Sequence, residues 1–389
     1  MPDTLIFEKN PHMRGTRKTS LMMLEFFIVV LILYVASVLF YFIKGGPSDD
    51  YSKTMYGLMA LQNGLVGVGF AVIADLIWYF PYVFRKEGVE GYISKVLHSY
   101  SYVSGLILVL LLPIGPEWWE IALTSFVAVF FTKLIFGGFG SNIMNPAIFG
   151  RIFAQVCFSN HLTTYLGDIV PDGNSTLISA GATIPGLVSG GNFAAADGIT
   201  FWNMLLGNYY GTIGETFALI IVILCIYLVM RRIIDWRVPF FYVVPMFFSY
   251  AVAFLLADAT PLVAFEEAAR QIMMGGILFG AVFCLTDPVT SPTNKAGRII
   301  FALGAAILTM VIRLFTNSPE GVAYSILIMN IFTPLIDKCL VGRTMKNYVE
   351  SLVILVMIGG VFAVGCGYGL TSESIVLPTS LASGLKEVL

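Results

Sequence analysis

Charge is what this chain has least of. Among 389 residues there are 22 Lys and Arg and 24 Asp and Glu, 57% of the chain is hydrophobic, and the mean hydropathy is +0.84. That composition excludes an ordinary soluble domain. A net charge of -2, with the basic residues confined to short clusters, offers no surface for a phosphate backbone and excludes a nucleic-acid partner. Histidine is nearly absent: His12, His98 and His161 fall near loops and read as surface residues. The five cysteines, Cys157, Cys225, Cys284, Cys339 and Cys366, are scattered without a Cys-x-x-Cys pair, so this chain alone holds neither a zinc site nor an iron–sulfur cluster. Most of them read as small core residues. Positive charge is missing altogether between Arg151 and Arg231.

What is there is apolar sequence in lengths that match a bilayer. Apolar runs, all but the short one at 146–158 able to cross about 30 Å of hydrocarbon, lie near 20–43, 57–84, 98–114, 118–136, 146–158, 213–230, 238–257, 270–286, 298–315, 322–340 and 350–371. These eleven spans predict an all-α polytopic membrane protein. The first follows Lys9, Arg14, Arg17 and Lys18 and lacks a small-residue cleavage site, so it reads as a retained span. Cytoplasmic loops keep Lys and Arg, which signs the connections in turn. Lys9 to Lys18, Arg85 with Lys86 and Lys95, Lys133, Arg231 to Arg237, Lys295 with Arg298, and Lys338 to Lys346 fall inside. Asp49 and Asp50, Glu117, residues 159–212, Asp258 with Glu266 and Glu267, and Glu320 fall outside. The amino terminus is then cytoplasmic. The long outer loop contains Ser179-Ala180-Gly181-Ala182-Thr183, small residues around hydroxyls, which suits an attachment or docking point.

Two segments break the spanning pattern. Gly137 to Asn142 leads to Asn145-Pro146-Ala147-Ile148-Phe149-Gly150-Arg151, and the apolar run beyond is too short to cross. Asn145 suits a helix cap and Pro146 a first turn, so a helix begins at or within the membrane's inner face and aims unpaired N–H groups at a cavity. A Gly-rich cytoplasmic turn is the plainer alternative. The same chemistry recurs from Thr286-Asp287-Pro288 to Gly297-Arg298. This echo covers only a few positions.

Four strings in order resemble one family: Asn145-Pro146-Ala147 with Gly150-Arg151; Gly211-Thr212-Ile213-Gly214-Glu215-Thr216; Asp287-Pro288-Val289-Thr290-Ser291-Pro292; and Glu320-Gly321-Val322-Ala323-Tyr324 running to Pro334-Leu335-Ile336-Asp337. Together, across roughly residues 11–340, they are similar to the RnfD/NqrB family of membrane subunits of redox-driven ion pumps. The unbroken Asp287 and Glu320 strings look more like RnfD. The resemblance implies a ten-helix bundle similar to the urea-transporter fold, with five-helix halves in inverted orientation, over residues 1–345; the additional span and tail at 346–389 depart from it. It implies FMN joined through its phosphate to Thr183 by a flavin transferase outside the membrane, and admits a second, noncovalent flavin such as riboflavin. It further implies the other subunits of an Rnf or Nqr complex as partners, in a bacterial or archaeal cytoplasmic membrane. Two departures from the family's acceptor motif stand out: Ala180 is inserted, and Leu177 replaces an acid, leaving Asp172 as the nearest. Ser179 and Thr176 are the fallback hydroxyls.

Flavin supplies electron chemistry that no side chain here performs, so the lack of a catalytic constellation does not argue against redox work. Charges inside apolar spans mark function or a pair. Glu25, Asp75, Lys133, Glu215 and Arg313 are of this kind. Asn145, Arg151, Glu215, Asp287 and Arg313 are the candidate flavin or ion contacts. Glu215 could instead only favour a helix dipole, Asp287 could be only a cap, and Arg313 could hold a phosphate or pair with Glu320. A passive urea-channel-like transporter and a flavin-free structural subunit remain the readings of other classes. The topology is testable in intact cells. A cysteine at Asn174 should react with a membrane-impermeant thiol reagent and one at Lys86 should not; labelling at Lys86 would reverse the assignment.

Overall fold

The computed structural model describes residues 18–44, 50–162, 201–207, 211–215, 217–256, 261–273, 275–315, 321–340 and Val353. Among them the chain is helical, with no strand. The first half contains α1 (Thr19–Lys44), α2 (Asp50–Tyr79), α3 (Arg85–Leu97), α4 (Ser101–Leu111), α5 (Trp118–Val129), α6 (Pro146–Cys157) and the single turn α7 (Ser159–Leu162). After the short α8 (Phe201–Leu206), the second half contains α9 (Ala218–Met230), α10 (Arg237–Leu256), α11 (Pro261–Met273), α12 (Ile277–Phe279), α13 (Lys295–Phe315) and α14 (Gly321–Leu340). Large apolar side chains face outward, such as Leu65, Ile77 and Met230, which only a lipid or protein environment accommodates.

Among the described residues four stretches are long and apolar enough to cross a membrane: Thr19–Ile43, Thr54–Leu111, Lys295–Arg313 and Gly321–Leu340. A fifth forms if Pro261–Met273 and Ile277–Cys284, bent by 64°, count as one. Several of the eleven expected runs are interrupted helices among the described residues. The run expected at 118–136 is a 12-residue helix followed by a π-helical turn, Phe130–Leu134. The run at 146–158 is 12 residues long, as its shortness predicted. Glu266 and Glu267, expected in an outer loop, lie within α11, where Arg270 pairs with both at 2.8 and 3.3 Å. The segment from Arg85 to Lys95, expected as a loop, is mostly helix α3 with a kink at Gly88. Of the stretch expected as the outer loop, 159–212, residues 163–200 with Thr183 lie outside the described residues, as does the last expected span at 350–371 apart from Val353.

Packing follows residue size. α2 crosses α4 and α5 with almost no separation: a Cβ on Gly105 would sit 2.8 Å from the Gly67 carbonyl oxygen and 2.8 Å from Ala71 Cβ. Ser125 of α5 donates a 2.5 Å hydrogen bond to that same Gly67 carbonyl. Small residues permit this approach, and dispersion replaces the hydrophobic drive that lipid cannot supply. The second half packs α10 against α11 and α13, and α13 against α14. The halves join where α6 meets α14 and α1 meets α9. Of the described cysteines only Cys284 is buried, and Cys157 and Cys339 are exposed, so the core expectation holds for one.

The Gly211 to Glu215 string is not a helix start. Helix α9 begins at Ala218 with no acid in its first turn, so dipole stabilisation does not explain Glu215. Instead the string is laid along the end of α4: Ile213 N–H donates to Leu112 O at 3.0 Å and Gly214 N–H to Leu110 O at 2.8 Å. These are carbonyls that a helix end leaves without partners. The close crossing at Gly105 predicts that Gly105→Val destabilises the bundle by about 1–3 kcal/mol through overpacking. Gly69→Ala, with nothing within 4 Å of its Cβ position, should be tolerated. Thermal unfolding of both variants in detergent checks this; equal midpoints would show that the crossing has room.

Candidate functional site

The two irregular segments meet. After α5, the π turn Phe130–Leu134 is closed by Gly138 N–H donating to Lys133 O at 3.0 Å. Gly137 and Gly138 take φ of +116° and +96°, a region that side chains rarely adopt, and so reverse the chain here. Asn145 then caps α6, its Oδ1 accepting from the N–H groups of Ala147 and Ile148 at 3.0 and 3.4 Å, with Pro146 in the first turn as its type predicts. The second half repeats the device with the π turn Gly280–Cys284 before Thr286 and Asp287. Asn145 Nδ2 ties the two together by donating to Cys284 O at 3.2 Å. What the two segments share is the π turn before each, while their echoed residues take different local structures, and π turns recur at functional sites.

Between the two breaks lies a cavity of about 200 Å³, lined by residues including Tyr100, Lys133, Phe139, Asn142, Asn145 and Asp287. Thr19, Met22 and Met23 of α1 wall one side. Ile233 and Ile234, in the loop between α9 and α10, contribute another part of the lining. That loop is pinned at both ends. Arg231 pairs with Glu25 at 2.5 Å, and Arg298 pairs with Asp235 at 2.8 Å. Partial burial pushes the Asp235 carboxyl up, but the Arg237 N–H and the Arg298 guanidinium bonded to it outweigh this and hold it below the usual carboxylate range. Counting charges along the sequence expects this end of the bundle to be the cytoplasmic one.

Lys133 is the most unusual group in the cavity wall, because its side chain is 1% exposed. It donates to Ser99 O and, at 2.8 Å, to Ser101 Oγ. Ser99 Oγ in turn donates to Asp75 Oδ1 at 3.0 Å, and the two serine hydroxyls lie 3.4 Å apart. The opposite charges of Asp75 and Asp287 both act on the ammonium. The cavity therefore combines an apolar, aromatic lining with few polar groups, as small-molecule sites do. Asn142 Oδ1 is buried and has no hydrogen-bond partner among the described residues. It is an acceptor in want of an N–H donor, such as the imide of a flavin ring. No group of three or more metal-ligating side chains occurs among the described residues.

The sequence candidates divide accordingly. Asn145 and Asp287 are brought together in the cavity wall. Asp287 is not a helix cap: its carboxylate accepts from Val289 N–H and Thr290 Oγ1 in a turn, and the helix starts only at Lys295. Arg151 is buried within α6, past its start, and does not line the cavity. Glu215 is half-buried with its carboxylate against Gly276, where an added Cβ would lie 2.5 Å from Oε1. Arg313 is buried near the end of α13 and packs on Gly321, away from the cavity; Glu320, its suggested partner, is outside the described residues. Thr183 is likewise outside them. Lys133, an inner-loop marker by charge count, belongs to the bundle interior, as its place in an apolar run also suggests. Asn142 escapes a reading of the sequence because an Asn beside glycines looks like turn chemistry. His98 and His161 are exposed as expected, and His161 Nδ1 lies 2.8 Å from the buried Glu120.

Residues 6–346 match the model of the NQR2, RnfD, RnfE family. The D component of the Na(+)-translocating ferredoxin:NAD(+) oxidoreductase complex of Acetobacterium woodii is 30% identical over 341 residues, covering 86% of this chain and 93% of that protein. The D component of the proton-translocating ferredoxin:NAD(+) oxidoreductase complex of Clostridium ljungdahlii is 32% identical, over 75% and 86% of the two chains. The B component of the Na(+)-translocating NADH-quinone reductase of Chromohalobacter salexigens is 29% identical, over 63% and 59%. The motifs at Asn145, Gly211, Asp287 and Glu320 all fall inside the matched region, and the chain belongs to the NQR2, RnfD, RnfE family.

Proposed function

We propose that this chain is the D-type membrane component of an Rnf-type complex, which passes electrons between a ferredoxin and NAD couple through bound flavin to drive ion transport. The observation that carries this reading is the match along nearly the whole length of the D-type relatives, against a shorter match to the B-type component of the quinone reductase. An NqrB-type role is the close alternative. The matched relatives are named for different ions, sodium in one and protons in the other, so the coupling ion here is either. The ten-helix arrangement of inverted halves belongs to this proposal.

Two flavin sites follow from it. FMN would be joined to Thr183 as a phosphoester by a flavin transferase, since a threonine hydroxyl is no nucleophile unaided and the small neighbours Gly181 and Ala182 leave a catalyst room. The second flavin, riboflavin or a relative without a covalent link, would occupy the cavity between the helix breaks. There Asn142 would accept from the ring, Tyr100 and Phe139 would flank it, and Asn145 would fix the wall through its bond to Cys284. A flavin supplies one- and two-electron transfer; these residues orient it and exclude water.

The covalent site is tested by mass spectrometry of protein made with its transferase. The peptide containing Thr183 should carry FMN less one water, and Thr183→Ala should remove that mass and electron transfer while leaving the bundle folded. Modification persisting on Ser179 or Thr176 would move the site and keep the flavoprotein reading. The cavity is tested by acid extraction. Asn142→Leu should weaken retention of the extractable flavin about tenfold or more, the cost of one lost hydrogen bond in a buried site, with the Thr183 adduct unchanged. Undiminished retention would place the noncovalent flavin elsewhere.

A further inference from the structure

A buried lysine that only neutralised Asp75 would need no opening onto a cavity. Lys133 has both: it forms part of the cavity wall, and its ammonium heads an unbroken series of hydrogen bonds that ends at Asp75. The donors all point one way. Lys133 Nζ donates to Ser101 Oγ; the Ser101 hydroxyl, having accepted that bond, has its own proton free for Ser99 Oγ; and Ser99 donates to Asp75 Oδ1. Asp75 Oδ2 is buried with no hydrogen-bond partner among the described residues. A carboxylate oxygen left so, inside a membrane bundle, is costly unless a proton or cation visits it. Around the ammonium stand the charges of Asp75 from α2 and Asp287 from the second break, with the Phe139 ring 5.8 Å from Nζ on the cavity side.

We propose that Lys133 is the proton donor to the redox group of this cavity, and that Ser101, Ser99 and Asp75 form the path by which it is reprotonated. This rests on the reading of the cavity as a flavin site. As electrons arrive from a reduced iron–sulfur or flavin centre of the complex, one N–H bond of the Lys133 ammonium breaks and its proton passes to a ring nitrogen, leaving a neutral amine. Asp75 has then lost its counter-charge and binds a proton from solvent. That proton restores the ammonium through the two hydroxyls, each accepting one proton and releasing another. The sum is one proton from water to the reduced ring, with Lys133 and Asp75 returned to their starting charges. Arginine cannot replace lysine in this cycle, because a guanidinium does not give up its proton at working pH.

The test uses the full chain made without its transferase and purified in detergent, so that only noncovalent flavin is present. Acid extraction measures that flavin, and stopped-flow absorbance follows its reduction by dithionite. The charge-neutral exchange Asp75→Asn with Lys133→Met should keep the flavin and slow its reduction about hundredfold, the scale of one lost general acid. Lys133→Arg, which keeps the charge, should be comparably slow, and Ser101→Ala, which changes no charge, should slow turnover of repeated reduction cycles. Wild-type rates in Lys133→Arg or in the neutral pair, with flavin retained, would reduce Lys133 to a counter-ion and overturn the proposal. Loss of flavin from all three variants would make Lys133 a binding group and overturn it equally. Absence of extractable flavin from the wild-type chain would instead sink the reading of the cavity itself.

Discussion

A peptide group stripped of water and left unpaired inside a bilayer costs several kcal/mol, so a membrane chain can interrupt a helix only where protein atoms take over the lost hydrogen bonds. The two breaks beside the cavity and the string at Gly211 are resolved in that way. The turn after α5 is closed by Gly138 on Lys133, and the start of α6 is capped by Asn145. Asn145 also satisfies Cys284 at the second break, and Ile213 and Gly214 satisfy the carbonyls at the end of α4. The breaks are therefore mutually dependent. The cavity is the space left where two interrupted helices supply each other's partners, and its shape is set by backbone hydrogen bonds more than by the bulk of its lining.

Charge obeys the same restriction. Lys133 and Asp75 are both buried, and two serines carry the contact between them. Buried ion pairs add little to stability once desolvation is counted, and removing one partner alone is far more damaging than removing both. Their place beside the cavity, with Asp287 across it, is what distinguishes them from a structural pair. Tyr242, Thr309 and Ser325 make a comparable buried chain in the second half at 2.8 and 2.6 Å, without a charge of their own and away from the cavity.

Much of this was legible from residue order. The apolar runs located the helices because a bilayer demands length, and α1 and α14 match their expected ends within a residue or two. Asn145 and Pro146 were readable because cap and first-turn preferences are local. What the sequence concealed were relations between distant segments. Nothing near Gly211 reveals that its string pairs with α4, so Glu215 was placed at a helix start that lies beyond it. Asp287 looked like a cap because a following Pro has the same meaning in a turn. The cytoplasmic sign of Lys133 rested on counting charges by position, a rule blind to which way a side chain turns. Arg151 and Arg298 looked like copies of one another, yet one is buried in α6 and the other pairs with Asp235 at the bundle's end.

The wall of the cavity is collected from across the sequence: Thr19 and Met22 near one end, Asn145 in the middle, and Ile234 and Asp287 far downstream. A ribosome delivers these segments one after another, and the amino-terminal half reaches the membrane first. Until the helix break at Asp287 has been inserted, Asn145 has no Cys284 to hold and the cavity has no far side. Any noncovalent occupant must therefore be loaded after synthesis is nearly complete, through a finished wall. The loop pinned by Arg231 and Asp235 closes part of that wall through Ile233 and Ile234.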